Sequence, residues 1–343
     1  MKRRRILCAV AASLAAAPLW AQDGPHRAGA ARPPAMPRLA FGLITPRNAE
    51  QMLKNWNPFL DRMSATLGTP IERLTYPTAA ALVSDFGAGR LHLAWMGNAP
   101  ALEIVEAGHG SVFAVEVVQG KASYRSALIT HRDSPLRSLD DVHRMAGQLV
   151  FGDGDPKSTS GHIVPKYFAF VRRGVNEPEK KFKELRRASH EANLVATVKK
   201  DVDVATSNTS ELENFRSARP QDAELVRVIW ESPDIPTSPM LWRNDLPTPL
   251  KQRIAAFTFG FGARDDQEKA VLRDINRLTA WRKSSNRQLV TVADLEMFNA
   301  RQRAMNDATL TAEQRLREVD EITRRGSRLE LMLKTSSQSV AGV

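Results

Sequence analysis

Among 343 residues there is a single cysteine, Cys8, and it falls inside the amino-terminal apolar stretch. No small-residue lipobox precedes it, so it is not expected to carry a lipid. The mature chain then has no thiol, which excludes disulfides, cysteine-ligated zinc and thiol catalysis and suits an oxidising compartment. A run long enough to cross a bilayer is also missing, because the apolar stretch 6–20 is too short. No block of one charge exists either. The 49 Lys and Arg against 38 Asp and Glu give +11, which becomes +7 once Lys2, Arg3, Arg4 and Arg5 are set aside. The remaining cations are interspersed with acids, so a nucleic-acid partner is not supported. A small anion, in contrast, needs only a local positive field. No metal or cofactor is expected.

What is present begins with an address. Lys2 to Arg5 form a basic segment ahead of the short apolar run, and Ala21 ends it, so residues 1–21 read as a secretory signal cleaved after Ala21. A periplasmic location is the simplest expectation. Residues 22–38 are rich in Pro, Ala and Gly without an apolar period and read as a flexible leader. From Leu39 the pattern becomes globular. Leu39–Ile44 reads as a strand, and Met52, Leu53, Trp56, Phe59, Leu60, Met63 and Leu67 then recur at helical spacing. Apolar runs at 91–95, 112–118, 126–130, 149–151, 202–206 and 225–230 read as further strands separated by helical stretches. This alternation predicts an α/β fold with mainly parallel sheets, in two lobes or one large sheet. Near the carboxy terminus Thr311 and Gln314 match a capping box. Leu316, Val319, Ile322, Leu329 and Met332 follow in a charged helical segment interrupted by Gly326. It reads as a packing or dimer arm, or as a solvated helix.

The most informative segment is Phe151-Gly-Asp-Gly-Asp-Pro-Lys-Ser-Thr-Ser-Gly-His162, which joins a strand end to a helix continuing through Val164, Tyr167 and Phe170. A helix starting among Ser158, Thr159 and Ser160 presents unpaired N–H groups and the positive end of its dipole, which suits an oxyanion. One of these hydroxyls acting as an N-cap is the plain alternative. Capping needs one hydroxyl, however, and three followed by Gly161 favour a bound anion. His190 stands before another amphipathic stretch, where it donates to a dianionic group or serves as an ordinary cap. The strand 202–206 delivers Asn208 and Thr209 to a loop at its carboxyl end, where ligands of open α/β sheets bind. Asp203 reads as structural.

In order along the chain, these segments resemble the phosphonate-binding proteins of ATP-binding-cassette importers, within the type II periplasmic binding protein superfamily. The resemblance extends through Ala94-Trp-Met-Gly-Asn98, Tyr124, His190-Glu-Ala-Asn193, Val202-Asp-Val-Ala-Thr206, Val228-Ile-Trp230, Trp242-Arg243 and Ser284-Ser-Asn-Arg-Gln-Leu-Val290. It implies two α/β lobes joined by two crossing strands. The first lobe would hold residues 39–130 and 240–300, the second 131–239, and a helical tail 301–343. It also implies a phosphonate bound in the cleft by Ser158, Thr159, Ser160, Gly161, Tyr124 and His190, with Asn98 and Asn208 nearby, and delivery to an ABC permease. Ser210, Ser238 and Ala79 occupy places where aminoalkyl-phosphonate binders hold the amine with carboxylates and a tyrosine. Ser210 and Ser238 are then ligand-tail contacts, and the preference for a cationic tail should weaken. Met96 stands where close relatives have an aromatic residue and reads as packing. A periplasmic sensor of the same anion is the alternative use. A hydrolase built on Ser160, His190 and Asp203 is a remote one, since the Gly-x-Ser-x-Gly elbow is missing.

Overall fold

The computed structural model of the chain describes residues 38–45 and 48–335. The expected signal, almost all of the leader and the last eight residues lie outside the described residues. Thirteen strands appear in chain order: β1 Leu39–Ile44, β2 Ile71–Tyr76, β3 Leu93–Trp95, β4 Gly110–Val118, β5 Ser123–Tyr124, β6 Ser126–His131, β7 Val150–Asp153, β8 Glu184–Arg187, β9 Val204–Asn208, β10 Val226–Glu231, β11 Ile235–Pro236, β12 Pro239–Arg243 and β13 Leu278–Lys283. They form a six-stranded sheet in the order β13-β4-β12-β3-β1-β2, a five-stranded sheet in the order β10-β6-β9-β7-β8, and a two-stranded ribbon of β5 and β11. The fold is therefore α/β and two-lobed, as expected.

The sheets are mixed and not mainly parallel. β1 runs parallel to β2 and β3, and β7 runs parallel to β8 and β9, each through helical crossovers. β12 lies antiparallel to β3 and β4, and β6 antiparallel to β9 and β10. β13 lies antiparallel to β4 at the sheet edge, and β6 and β12 are the strands on which the chain enters or re-enters a sheet as it passes between the lobes. Such a passage needs no crossover helix, so the alternation of apolar runs gives no warning of it. β6 belongs to the second sheet, although the boundary expected at 130 puts most of it in the first lobe. β12 begins at Pro239 and belongs to the first sheet.

The helix Ala49–Leu67 starts on an Asn48 cap and ends on Gly68, whose positive φ of 63° closes it. Its apolar face places Trp56 against Phe41, Trp95 and Trp281, with ring centroids 5.4 to 6.1 Å apart. On the other face of this sheet the helices Ala79–Gly87 and Asn98–Glu106 pack with the carboxy-terminal pair Val290–Asn306 and Ala312–Thr335. The first of that pair runs unbroken through residue 300, so the helical tail begins at Val290 and not at 301. The capping box holds: Thr311 N–H donates to Gln314 Oε1 at 2.8 Å, and Gln314 N–H donates to Thr311 Oγ1 at 3.2 Å. Gly326 does not break the last helix. A Cβ there would sit 3.2 Å from Met297 Cγ, so glycine lets the two helices approach. Leu329 and Leu333 are buried, which makes the tail a packing element, while Leu316 and Leu331 remain exposed.

Candidate functional site

β7 ends at Asp153, and a sharp return brings the chain to a helix whose N-cap is Ser158. Gly154 N–H donates to the Gly161 carbonyl at 3.0 Å. The two glycines are pressed together, since a Cβ on Gly154 would lie 2.6 Å from the Gly161 carbonyl carbon. The expected helix is present and is wound as π turns over Thr159–Ile163 and Lys166–Phe170. Such widening is frequent at functional sites.

Each hydroxyl of the turn already accepts or shares a hydrogen bond. Ser158 Oγ accepts from Gly161 N–H at 3.0 Å, so the capping reading is correct for this residue. Thr159, buried, accepts at Oγ1 from Ala99 N–H of the first lobe at 3.0 Å. Ser160 Oγ lies 3.0 Å from His190 Nε2 and accepts from Asn208 Nδ2 at 3.4 Å, and its carbonyl accepts from Ser126 Oγ at 2.6 Å. Tyr124 is hydrogen-bonded to Ser160, and burial lifts its phenol to about 12, so it stays a donor. Capping and anion binding are compatible. A hydroxyl that accepts a backbone N–H keeps its own proton to give, and the accepted bond fixes where that proton can point. Of the expected residues, Tyr124 and His190 are joined through the Ser160 hydroxyl, Ser158 is paired with Gly161 in the same turn, and Thr159 is bonded to Ala99.

The other expected residues fare differently. Asn208 does not lie in a loop: it ends β9 and caps the helix Thr209–Ala218 by accepting from Glu211 N–H at 2.8 Å. A strand running straight into a capped helix leaves no room for the loop. Asn98 is fully buried, donating to the Pro236 carbonyl and accepting from Gln288 Nε2, both at 2.7 Å. It clasps the β11 crossing to the first lobe. Ser210 sits in the first turn after Asn208, and the Ser238 carbonyl accepts from Glu116 N–H at 3.3 Å. Met96 is buried in the first-lobe core. Asp203 accepts from Val150 N–H at 2.7 Å, fixing the start of β7, so it does not orient His190.

Two features escaped the sequence reading. Lys157 pairs with Glu103 of the first lobe at 2.8 Å, a contact between segments far apart in sequence that no local pattern marks. Glu116 is a buried carboxylate in β4, and here a signal existed: one acid stands in the apolar run Val112–Val118 of that strand. Among the described residues no cluster of His, Cys, Asp and Glu could hold a metal, and no helix is long and apolar enough to cross a membrane.

Comparison with known proteins places this geometry in company. Residues 41–289 match the family described as ABC transporter, phosphonate, periplasmic substrate-binding protein. A phosphonates-binding periplasmic protein of Escherichia coli is 35% identical over 285 residues, 83% of each chain. A probable ABC transporter phosphite binding protein of Prochlorococcus marinus is 22% identical over 268 residues, 77% of this chain and 82% of its own. The crystal structure of a binding protein component of an ABC phosphonate transporter from Pseudomonas aeruginosa superposes with a TM-score of 0.78 at 35% identity, covering 87% of this chain and 98% of that one.

Proposed function

The chain belongs to the family of periplasmic substrate-binding proteins of phosphonate ABC transporters, and we propose that it grips the head group of its ligand with the 158–161 turn, Tyr124 and His190. It is the phosphonate-binding component of such a transporter, handing its ligand to a permease. The observation that carries the site assignment is the orientation of the hydroxyls. Gly161 N–H and Ala99 N–H occupy acceptor sites of Ser158 and Thr159, which leaves the hydroxyl protons for an oxyanion. Each such bond to a charged group contributes roughly 1.5 to 3 kcal/mol, so a few of them suffice for micromolar binding near about −8 kcal/mol after association costs. Asn98 and Asn208 support the site from the crossing and from β9, and Ser210 and Ser238 line its far end.

The cleft lies between the two sheets, with the hinge in β5 and β11. The first lobe supplies Ala99 and the second supplies Thr159, so this bond forms only when the lobes meet. A ligand that favours the closed form shifts the population toward it. The protein binds without turnover: Ser160 and His190 are close, but Asp203 is committed elsewhere. Hydrolysis of a phosphate or carboxylic ester, lost in Ser160→Ala, would overturn that statement. Export with cleavage after Ala21 is read from the mass of the periplasmic form. Self-association through Leu316 and Leu331, 68% and 66% exposed, is read by light scattering.

Titration calorimetry with methylphosphonate, phosphite, phosphate and sulfate tests the head-group site. Ser158→Ala combined with Thr159→Ala should weaken methylphosphonate at least about a hundredfold, from two lost charge-assisted bonds. Unchanged affinity moves the anion elsewhere.

A further inference from the structure

Head-group recognition makes no use of Glu116. Its side chain is only 5% exposed, in β4 between Val115 and Val117. Trp95 Nε1 donates to Oε1 at 2.9 Å and Asn276 Nδ2 to the same oxygen at 3.3 Å, and the Ser238 amide also favours the ionised form. All three donors are neutral, and among the described residues no cation pairs with it. Burial of such a carboxylate is costly, and it lifts the Glu116 carboxyl to about 7. Packing alone does not need an acid there.

The position of Glu116 suggests what the charge is for. Its backbone N–H donates to the Ser238 carbonyl at 3.3 Å, and its carbonyl accepts from the Thr237 hydroxyl. Its charge acts on Tyr124, which is bonded to Ser160 of the anion turn. Glu116 therefore stands beside the crossing segment, against Thr237 and Ser238, and Ser238 is the residue assigned above to the far end of the ligand.

Resting on the head-group assignment above, we infer that Glu116 is a specificity-determining residue for the other end of the ligand: framed by Trp95 and Asn276, its carboxylate accepts a hydrogen bond from a positively charged phosphonate tail. Ser210, Ser238 and Ala79 by themselves imply a weakened preference for such a tail. The carboxylate missing at 238 is instead supplied by the neighbouring strand, so the preference is restored from a different position.

Calorimetry on the mature full-length chain with methylphosphonate, ethylphosphonate, 2-aminoethylphosphonate and 3-phosphonopropionate tests this. The wild type should bind the aminoethyl compound about tenfold or more tighter than ethylphosphonate, the effect of one charge-assisted hydrogen bond, with the carboxylate-tailed compound weakest. Glu116→Gln, nearly isosteric, should remove that ranking while methylphosphonate stays within about twofold, since its head-group bonds are untouched. The inference is overturned if the wild type shows no preference for the cationic tail, or if folded Glu116→Gln keeps it. Should Glu116→Gln fail to fold, the wild-type ranking decides alone. Failure of the wild type to bind even methylphosphonate sinks the head-group assignment, a result separable from an altered ranking among ligands that do bind.

Discussion

In the proposed site the two lobes contribute to ligand recognition by opposite means. The second lobe contributes one continuous turn, Ser158 to Gly161, whose donors are set by bonds made mostly within a few residues of each other. The first lobe contributes residues that are neighbours only because strands pair: Glu116 in β4, Trp95 in β3, Ser238 just before β12 and Asn276 just before β13. A local turn keeps its geometry if the rest of its lobe shifts. An assembled corner depends on register, and there one residue of slip replaces the facing side chain. Head-group recognition should therefore be robust, and tail recognition easily retuned.

The contrast fails first, if it fails, at Gly154. A Cβ there meets the Gly161 carbonyl carbon at 2.6 Å, a backbone clash that no rotamer relieves. Gly154→Ala should weaken every phosphonate equally, by about a hundredfold, with a lowered melting temperature by calorimetry, as expected when backbone geometry is forced. Selective loss of one tail class would mean that the turn is not independent of the first lobe.

Smaller effects are expected where the lobes touch. Lys157 and Glu103 pair at 2.8 Å with both side chains about a third exposed or more. Such a pair contributes roughly 0.2 to 1 kcal/mol, so Lys157→Met should weaken binding by no more than about fivefold, less at high salt. A double-mutant cycle with Glu103→Gln isolates that share from any effect on the turn itself.

The smallest effect is a slope. Burial, then the nearby Glu103, lifts Glu296 from its ordinary 4.5 to about 7, with Glu106 adding to the rise and Arg325 and Arg303 opposing it. Between those two values the folded chain holds a proton that the unfolded chain has lost, so stability falls as pH rises through the window. Glu296→Gln should flatten this part of the stability curve, measured by urea melts from pH 4 to 8, without altering the ranking of ligands.

The same contrast governs what could be read from the sequence. The anion turn was legible because glycines, hydroxyls and helix onset all lie within ten residues. β1 and the first long helix were legible from apolar spacing. β8, with the polar sequence ELRR at a sheet edge, carries no such pattern, and β2 mixes burial with charge. The antiparallel returns of β6 and β12 depend on which strand lies alongside, a property of distant segments. Asn98 stands out by its motif, but its bonds to Pro236 and Gln288 join segments far apart in the chain and leave no local sequence trace. Counting carboxylates by position alone missed Glu116, since pairing between β4 and the segment before β12 brings it beside Ser238.

Tyr167, on the helix that grows from the anion turn, meets Phe298 of the carboxy-terminal pair edge to face at 4.8 Å. Ile163 and Val164 share a core with Leu295 and Met297. Parting the lobes must unzip this apolar seam, so the resting poise of the flytrap is tensioned by residues that never see the ligand. Because the apparent dissociation constant scales inversely with the fraction already poised to close, substitutions along this seam should act as a gain control. They would shift the concentration at which every ligand fills the protein and leave the order of preference intact.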